Sequence, residues 1–129
     1  MTLDEIRKMS SIDLKIDETQ LDGESLKTPQ IHNKYLIMFT DEKLILQKME
    51  RDLSILKKNK WLYYTGKISE EELHEENWEP FELTVLKTDI DKFLEADDDL
   101  QIISSKIKYA EIVVEYLESV IKIINNRQW

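Results

Sequence analysis

The sequence predicts an all-α protein of long amphipathic helices with a short extended arm at its N-terminus. Three observations carry this. Gly and Pro number two each in 129 residues and charged residues make up 35%, which suits helices and leaves few turns for an all-β fold. From Pro29 to Tyr64 nothing interrupts a helix, which at ~1.5 Å per residue would reach ~54 Å. From Leu100 to Ile124 apolar residues recur at alternating spacings of three and four. The chain reads as a single helical domain in four stretches. These are an arm with short helices over 1–28, a long helix with a basic aromatic end over 29–67, an acidic connector over 68–96 and an oligomerising helix over 97–129.

Taken in order, Thr2-Leu3-Asp4-Glu5 is a capping box that starts a short helix to about Met9. Ile12, Leu14 and Ile16 then alternate with Asp13 and Lys15, a period of two that predicts extended chain lying on another surface. Asp17-Glu18-Thr19-Gln20 offers a second capping box, with a helix through Leu21 and Leu26 that Gly23 weakens. Thr28-Pro29 predicts a fresh start, because proline is tolerated at the first helical position. Along the long helix Tyr35, Phe39, Leu46, Met49, Leu53, Leu56 and Tyr63 form a seven-residue seam with Glu42 and Lys60 as its polar interruptions. Thr65-Gly66 supplies the stop, with Gly66 placed for a left-handed cap. Ser69-Glu70-Glu71-Glu72 caps a short helix flanked by Ile68 and Leu73, which must end before Trp78-Glu79-Pro80-Phe81. A further short helix is expected between Glu82 and Ala96.

The last helix is expected to start from Asp98 as its cap. Its stripe of Leu100, Ile103, Ile107, Ala110, Val114, Leu117, Ile121 and Ile124 continues without a miss, and a second row, Ile102, Tyr109, Tyr116 and Ile123, repeats every seven residues. A helix this apolar on several sides is central in a bundle or shared between subunits. The short chain favours subunits, so the stripe is read as an oligomerisation surface.

Composition excludes several functions. With no Cys there is no disulfide, thiolate metal site or Cys nucleophile. No apolar run approaches the ~20 residues that cross a bilayer, and the N-terminus lacks a signal-peptide pattern, so no membrane partner and a cytoplasmic location are expected. His32 and His74 belong to no ligand spacing, and a calcium loop begun at Asp89 would meet Leu94 and Leu100 where Gly and Glu are required. The Asp-rich segment therefore reads as helix-end charge and solvated surface rather than the metal site of a nuclease. No enzyme, metal or cofactor is expected.

The net charge is -9, but its layout is polar: Lys27 to Lys67 carries nine basic residues and four acids, and Glu70 to Asp99 carries thirteen acids and two lysines. Within the basic part, Lys57, Lys58, Lys60 and Lys67 are interleaved with Trp61, Tyr63 and Tyr64. Two readings stand. Lysines can complement the helix end while the rings pack. Alternatively, the lysines neutralise successive phosphates of single-stranded DNA while the rings stack on unpaired bases. The acidic stretch is a candidate docking surface for a basic protein.

The run Lys58, Lys60, Tyr63, Tyr64, Thr65, Gly66 and Lys67 resembles the motif of the UvsY family, recombination mediators of large tailed bacteriophages. The likeness extends to Ile16-Asp17, Leu86-Lys87-Thr88 and a final amphipathic helix ending near Arg127. The resemblance implies a helical, non-enzymatic, ring-forming protein, usually a heptamer assembled through its C-terminal region, acting in the cytoplasm of the infected bacterium. Its expected partners are single-stranded DNA, a phage RecA-like recombinase and the phage single-strand-binding protein, which the recombinase displaces. Strand binding carries over to Lys58 and Lys60, while Tyr63, Tyr64 and Lys67 match the motif as residues. Lys57 and Trp61 are added on their chemistry. The rival is a helical scaffold or adaptor that oligomerises and binds only protein.

Overall fold

Among the described residues, 1–15 and 21–127, the computed structural model has five helices and no strand. They are α1 (Leu3–Asp13), α2 (Leu21–Tyr64), α3 (Glu70–Glu75), α4 (Ile90–Ala96) and α5 (Asp98–Asn125). The chain forms two units, one from Met1–Leu46 with Tyr109–Trp129 and one from Gln47–Lys108. Helices α2 and α5 contribute to both.

In the first unit, α1 caps on Thr2 as expected, Thr2 Oγ1 accepting from the Glu5 N–H. It then runs through Asp13, so the described part of the expected extended arm is helical. The alternation of Ile12 and Leu14 misled because two positions on the buried face of α1 are polar. Ser10 is buried with its hydroxyl 2.6 Å from the Tyr116 hydroxyl. Asp13 Oδ2 accepts from Lys34 Nζ at 2.7 Å and from the Tyr35 hydroxyl at 2.8 Å. Ile12 itself is exposed. Two longer-range bonds hold the ends of α1: the Leu3 N–H donates to the Tyr109 hydroxyl and Arg127 donates to the Leu14 carbonyl. Ile6, Ile31, Tyr35, Val113, Leu117, Val120 and Ile124 form the core these contacts surround.

Helix α2 is 44 residues long with Pro29 inside it, so the expected break at Thr28-Pro29 does not occur. Proline removes one main-chain donor, and the buried Ile31 and Tyr35 just beyond it anchor the following turns. Local propensity gives way to packing. The capping box at Asp17–Gln20 and Ile16 lie outside the described residues. The seam is the inward face of α2: Tyr35 and Lys60 are buried and Phe39, Glu42, Leu46, Met49, Leu53, Leu56 and Tyr63 half-buried.

The stripe expected to serve oligomerisation is covered within one chain. Leu100, Ile107, Ala110, Val114, Leu117 and Ile124 are buried and Ile103 and Ile121 half-buried within a single chain. They pack in the chain's own interior, because the chain supplies more helical surface than its sequence suggested. The apolar residues of α5 that stay exposed are Ile102, Tyr109, Ile112 and Ile123. The cap of α5 is also moved, from Asp98 to Asp97, whose Oδ1 accepts from the Leu100 N–H at 3.0 Å.

Candidate nucleic-acid interface

The basic aromatic stretch closes α2 within the second unit. Gly66, at φ +73°, ends the helix. Its N–H bonds the Tyr63 carbonyl and the Lys67 N–H bonds the Leu62 carbonyl, the paired bonds of a Schellman turn. Ser69 then caps α3 by accepting from the Glu72 N–H. Helix α3 ends in the same way at Asn77, φ +60°, with the Asn77 N–H on the His74 carbonyl and the Trp78 N–H on the Leu73 carbonyl. Asparagine tolerates this left-handed backbone better than most residues. Between them the two turns bring Trp78 back over Lys60, whose ammonium lies 4.0 Å from the indole centroid.

Lys60 is therefore not a surface cation. It is buried, with Nζ 3.1 Å from Asp97 Oδ2 and 2.9 Å from Asp99 Oδ2. Asp97 is buried too and also accepts from the Tyr64 hydroxyl at 2.6 Å while capping α5. Burial alone would raise the Asp97 pKa, but hydrogen bonds from Tyr64, the Leu100 N–H and Lys60 outweigh it and hold the carboxyl below its ordinary range. Burial would lower the Lys60 pKa, and its hydrogen bonds to Asp99 and Asp97 raise it instead. Burial, followed by the bond to Asp97, pushes the Tyr64 phenol up. Lys60, Asp97 and Tyr64 thus form one charge-satisfied network at the start of α5.

The tyrosine pair belongs to the same interior. Tyr63 lies 5.3 Å from Trp78 and 5.6 Å from Phe81, and its hydroxyl donates to the Glu79 carbonyl. Tyr64 lies 5.0 Å from Phe81 and 5.7 Å from Phe93. Edge-to-face pairs at these distances add ~0.5–1.5 kcal/mol beyond burial. On this geometry Lys60 is no surface contact for DNA: its charge and the hydroxyls of Tyr63 and Tyr64 are engaged in folding the second unit, while the two half-buried rings pack at its edge and Tyr64 also lines an open groove. The sequence carried a signal for it, since Lys60 and Tyr63 both fall on the buried seam.

Four of the expected contacts remain outside. Lys57, Lys58, Trp61 and Lys67 are exposed, and the Lys67 ammonium lies 4.8 Å over the Trp61 ring. Spacings of three, four and three put Arg51, Ser54, Lys58 and Trp61 on one face of α2, and all four are exposed. Arg51 was missed, although it stands seven residues before Lys58. Of the charged side chains here, Arg51, Lys57 and Lys58 make no ion pair among the described residues. The result is a cationic, aromatic outer face backed by a buried network.

The fold matches crystal structures of the bacteriophage T4 recombination mediator protein UvsY. The lattice type II structure matches at a TM-score of 0.83 and 20% identity, over 97% of this chain and 86% of that one. The lattice type IV structure matches at 0.83 and 19%, over 97% and 88%. A search of curated proteins finds no significant match. The family profile described as "Recombination, repair and ssDNA binding protein UvsY" matches residues 9–129, which include the whole of the basic aromatic stretch. The chain belongs to the UvsY family of recombination, repair and single-stranded-DNA-binding proteins.

Proposed function

We propose that this protein is a non-enzymatic recombination mediator that binds single-stranded DNA on the outer face of α2. It helps a RecA-like recombinase replace single-strand-binding protein on that strand, in the cytoplasm of an infected bacterium. The observation that carries the reading is the exposed row of Arg51, Ser54, Lys58 and Trp61, flanked by Lys57 and Lys67, on a chain of this family. The T4 protein of the same fold is a recombination mediator protein.

One such face binds weakly. Three neutralised phosphates give a salt slope of about -2 on a single strand. Several copies engaged by one strand bind more tightly through effective concentration, so the active form is a homo-oligomer, a ring of seven by family resemblance. Its subunit contacts draw on the exposed apolar residues of the first unit, Leu36, Ile37, Leu44 and Ile45 on α2 and Tyr109, Ile112 and Ile123 on α5. Two acids of the acidic stretch, Asp97 and Asp99, are engaged with Lys60. The exposed glutamates from Glu70 to Glu82 are left to dock a basic face of the recombinase or the single-strand-binding protein.

The test is the recombinase's strand-dependent ATP hydrolysis on DNA pre-coated with single-strand-binding protein. The wild-type chain shortens the lag, and a Lys57→Ala, Lys58→Ala variant of unchanged fold does not. If the variant shortens the lag as well as the wild type, the protein is a scaffold that binds only protein.

A further inference from the structure

Beside Trp61 the second unit opens a groove of about 680 Å³, within the ~300–1,000 Å³ typical of small-ligand pockets. Trp61, Tyr64, Gly66 and Lys67 line it from the end of α2 and the turn after it, and Phe81 and Lys87 from the segment before α4; Glu82 is its one acid among the described residues.

Three features of the groove converge. Trp61 is 40% exposed there, with the Lys67 ammonium against its ring, although Tyr63, Tyr64, Trp78, Phe81 and Phe93 of the same unit are packed together nearby. Gly66 is required by its left-handed turn, and a Cβ built on it meets nothing within 4 Å, so the space beside it is open. The segment Glu82–Val85 has no regular secondary structure, and its main-chain donors and acceptors have no partner among the described residues. An aromatic face, a lysine from each wall and a run of unused main-chain hydrogen-bonding groups meet in one place.

We propose that this groove holds an unpaired nucleobase stacked on Trp61, with the phosphates on either side of it at Lys67 and Lys87. The inference rests on the single-stranded DNA reading and specifies where one base of that strand sits. Stacking on a ring tolerates every base, and the lysines neutralise phosphates of any sequence. Main-chain groups of Glu82–Val85 meet the edge of the base. Glu82 keeps phosphate from the middle of the groove and confines it to the lysines at its margins. Lys87 enters as a DNA contact that lies outside the basic run altogether.

The experiment uses the wild-type chain with an oligo-dT strand carrying 5-iodouracil, irradiated and mapped by mass spectrometry, together with salt titrations of two variants. Crosslinks fall on Trp61, Tyr64 or Phe81, the aromatic residues that line the groove. Lys87→Ala lowers the salt slope by about 0.7 and dT affinity roughly four-fold at 0.15 M salt. Trp61→Ala loses roughly five- to hundred-fold, and Trp61→Phe recovers most of it. If the wild type binds dT but crosslinks elsewhere and Lys87→Ala keeps its slope, the groove proposal fails while the DNA reading stands. If the wild type does not bind dT at low salt, both fail. If Lys87→Ala keeps its dT affinity but loses a protein partner, the groove belongs to a polypeptide strand and the proposal is overturned.

Discussion

Lys58 and Lys60 stand two residues apart, and their removal has opposite signatures. Lys58→Ala takes a solvated cation from the outer face. One phosphate contact on a single strand contributes about 0.7 to the salt slope, which at 0.15 M salt is roughly a four-fold loss of affinity for each subunit engaged. The melting temperature stays where it was, since Lys58 is exposed and makes no ion pair among the described residues. Lys60→Ala leaves the buried Asp97 carboxylate without its cation. Breaking a buried pair by removing one partner costs about 3–5 kcal/mol. Asp97 keeps its bonds from Tyr64 and the Leu100 N–H, which favours the lower end of that range. At roughly 3–4 °C per kcal/mol for a chain of this size, melting falls by about 10 °C. A second substitution separates charge from packing. Asp97→Asn added to Lys60→Met removes both charges and keeps a cap and an acceptor for Tyr64, so the double variant recovers much of the loss. The assays are thermal melting by circular dichroism and dT titration at two salt concentrations. A Lys60→Ala protein that melts like the wild type yet loses dT affinity with a lower salt slope would refute the buried-network account and return Lys60 to the DNA.

Four further outcomes follow from the same geometry. The Asp97 carboxyl is held low, so its stabilisation is present above the unfolded value of about 3.9 and is lost as pH falls through the folded one. Lys60 is held high, and its contribution is present below about 10.4 and lost as pH rises through its folded value, with the raised Tyr64 acting the same way. Melting temperature is therefore flat between about pH 5 and 9 and falls on both sides, and Asp97→Asn, measured by the same melts, flattens the acid limb. Gly66→Ala meets no clash but must hold a left-handed backbone, and urea titration should show a loss of ~1–2 kcal/mol. Ile112→Lys with Ile123→Lys should give a smaller mass in light scattering with unchanged helicity, whereas Leu117→Ala, fully buried, should lose ~2–5 kcal/mol of stability.

What the sequence made legible was periodicity and capping. The inward seam of α2, the stop at Gly66 and the caps at Thr2 and Ser69 all follow from local rules, and the structure has them in place. Where reading failed, tertiary partners decided. The polar pair Ser10 and Asp13 hid the helical face of α1, because their partners Tyr116, Lys34 and Tyr35 lie far along the chain. The restart at Pro29 yielded to the burial of Ile31 and Tyr35 beyond it. The stripe of α5 has the right spacing, but spacing does not say whether the covering helix belongs to the same chain. Lys60 is the instructive case. It falls on a buried seam, and a buried cation needs an anion; Asp97 and Asp99 sit in the acidic run 37 and 39 residues on. Read together, those two facts predict an ion pair. Read as a motif beside Lys58, Lys60 looks like a DNA contact. Trp61 and Lys58 share an exposed face of α2, a placement that helical spacing alone sets.

The measurement that tests the central claim most directly is fluorescence anisotropy of a labelled oligo-dT strand across a salt series, with wild type beside the Lys57→Ala, Lys58→Ala variant. The account predicts salt-sensitive binding by the wild type. It also predicts that the variant melts at the same temperature but binds more weakly, with a salt slope lower by about 1.4 for each subunit engaged. Equal affinity and equal slope in the two proteins would contradict it, and would take the strand off the outer face of α2.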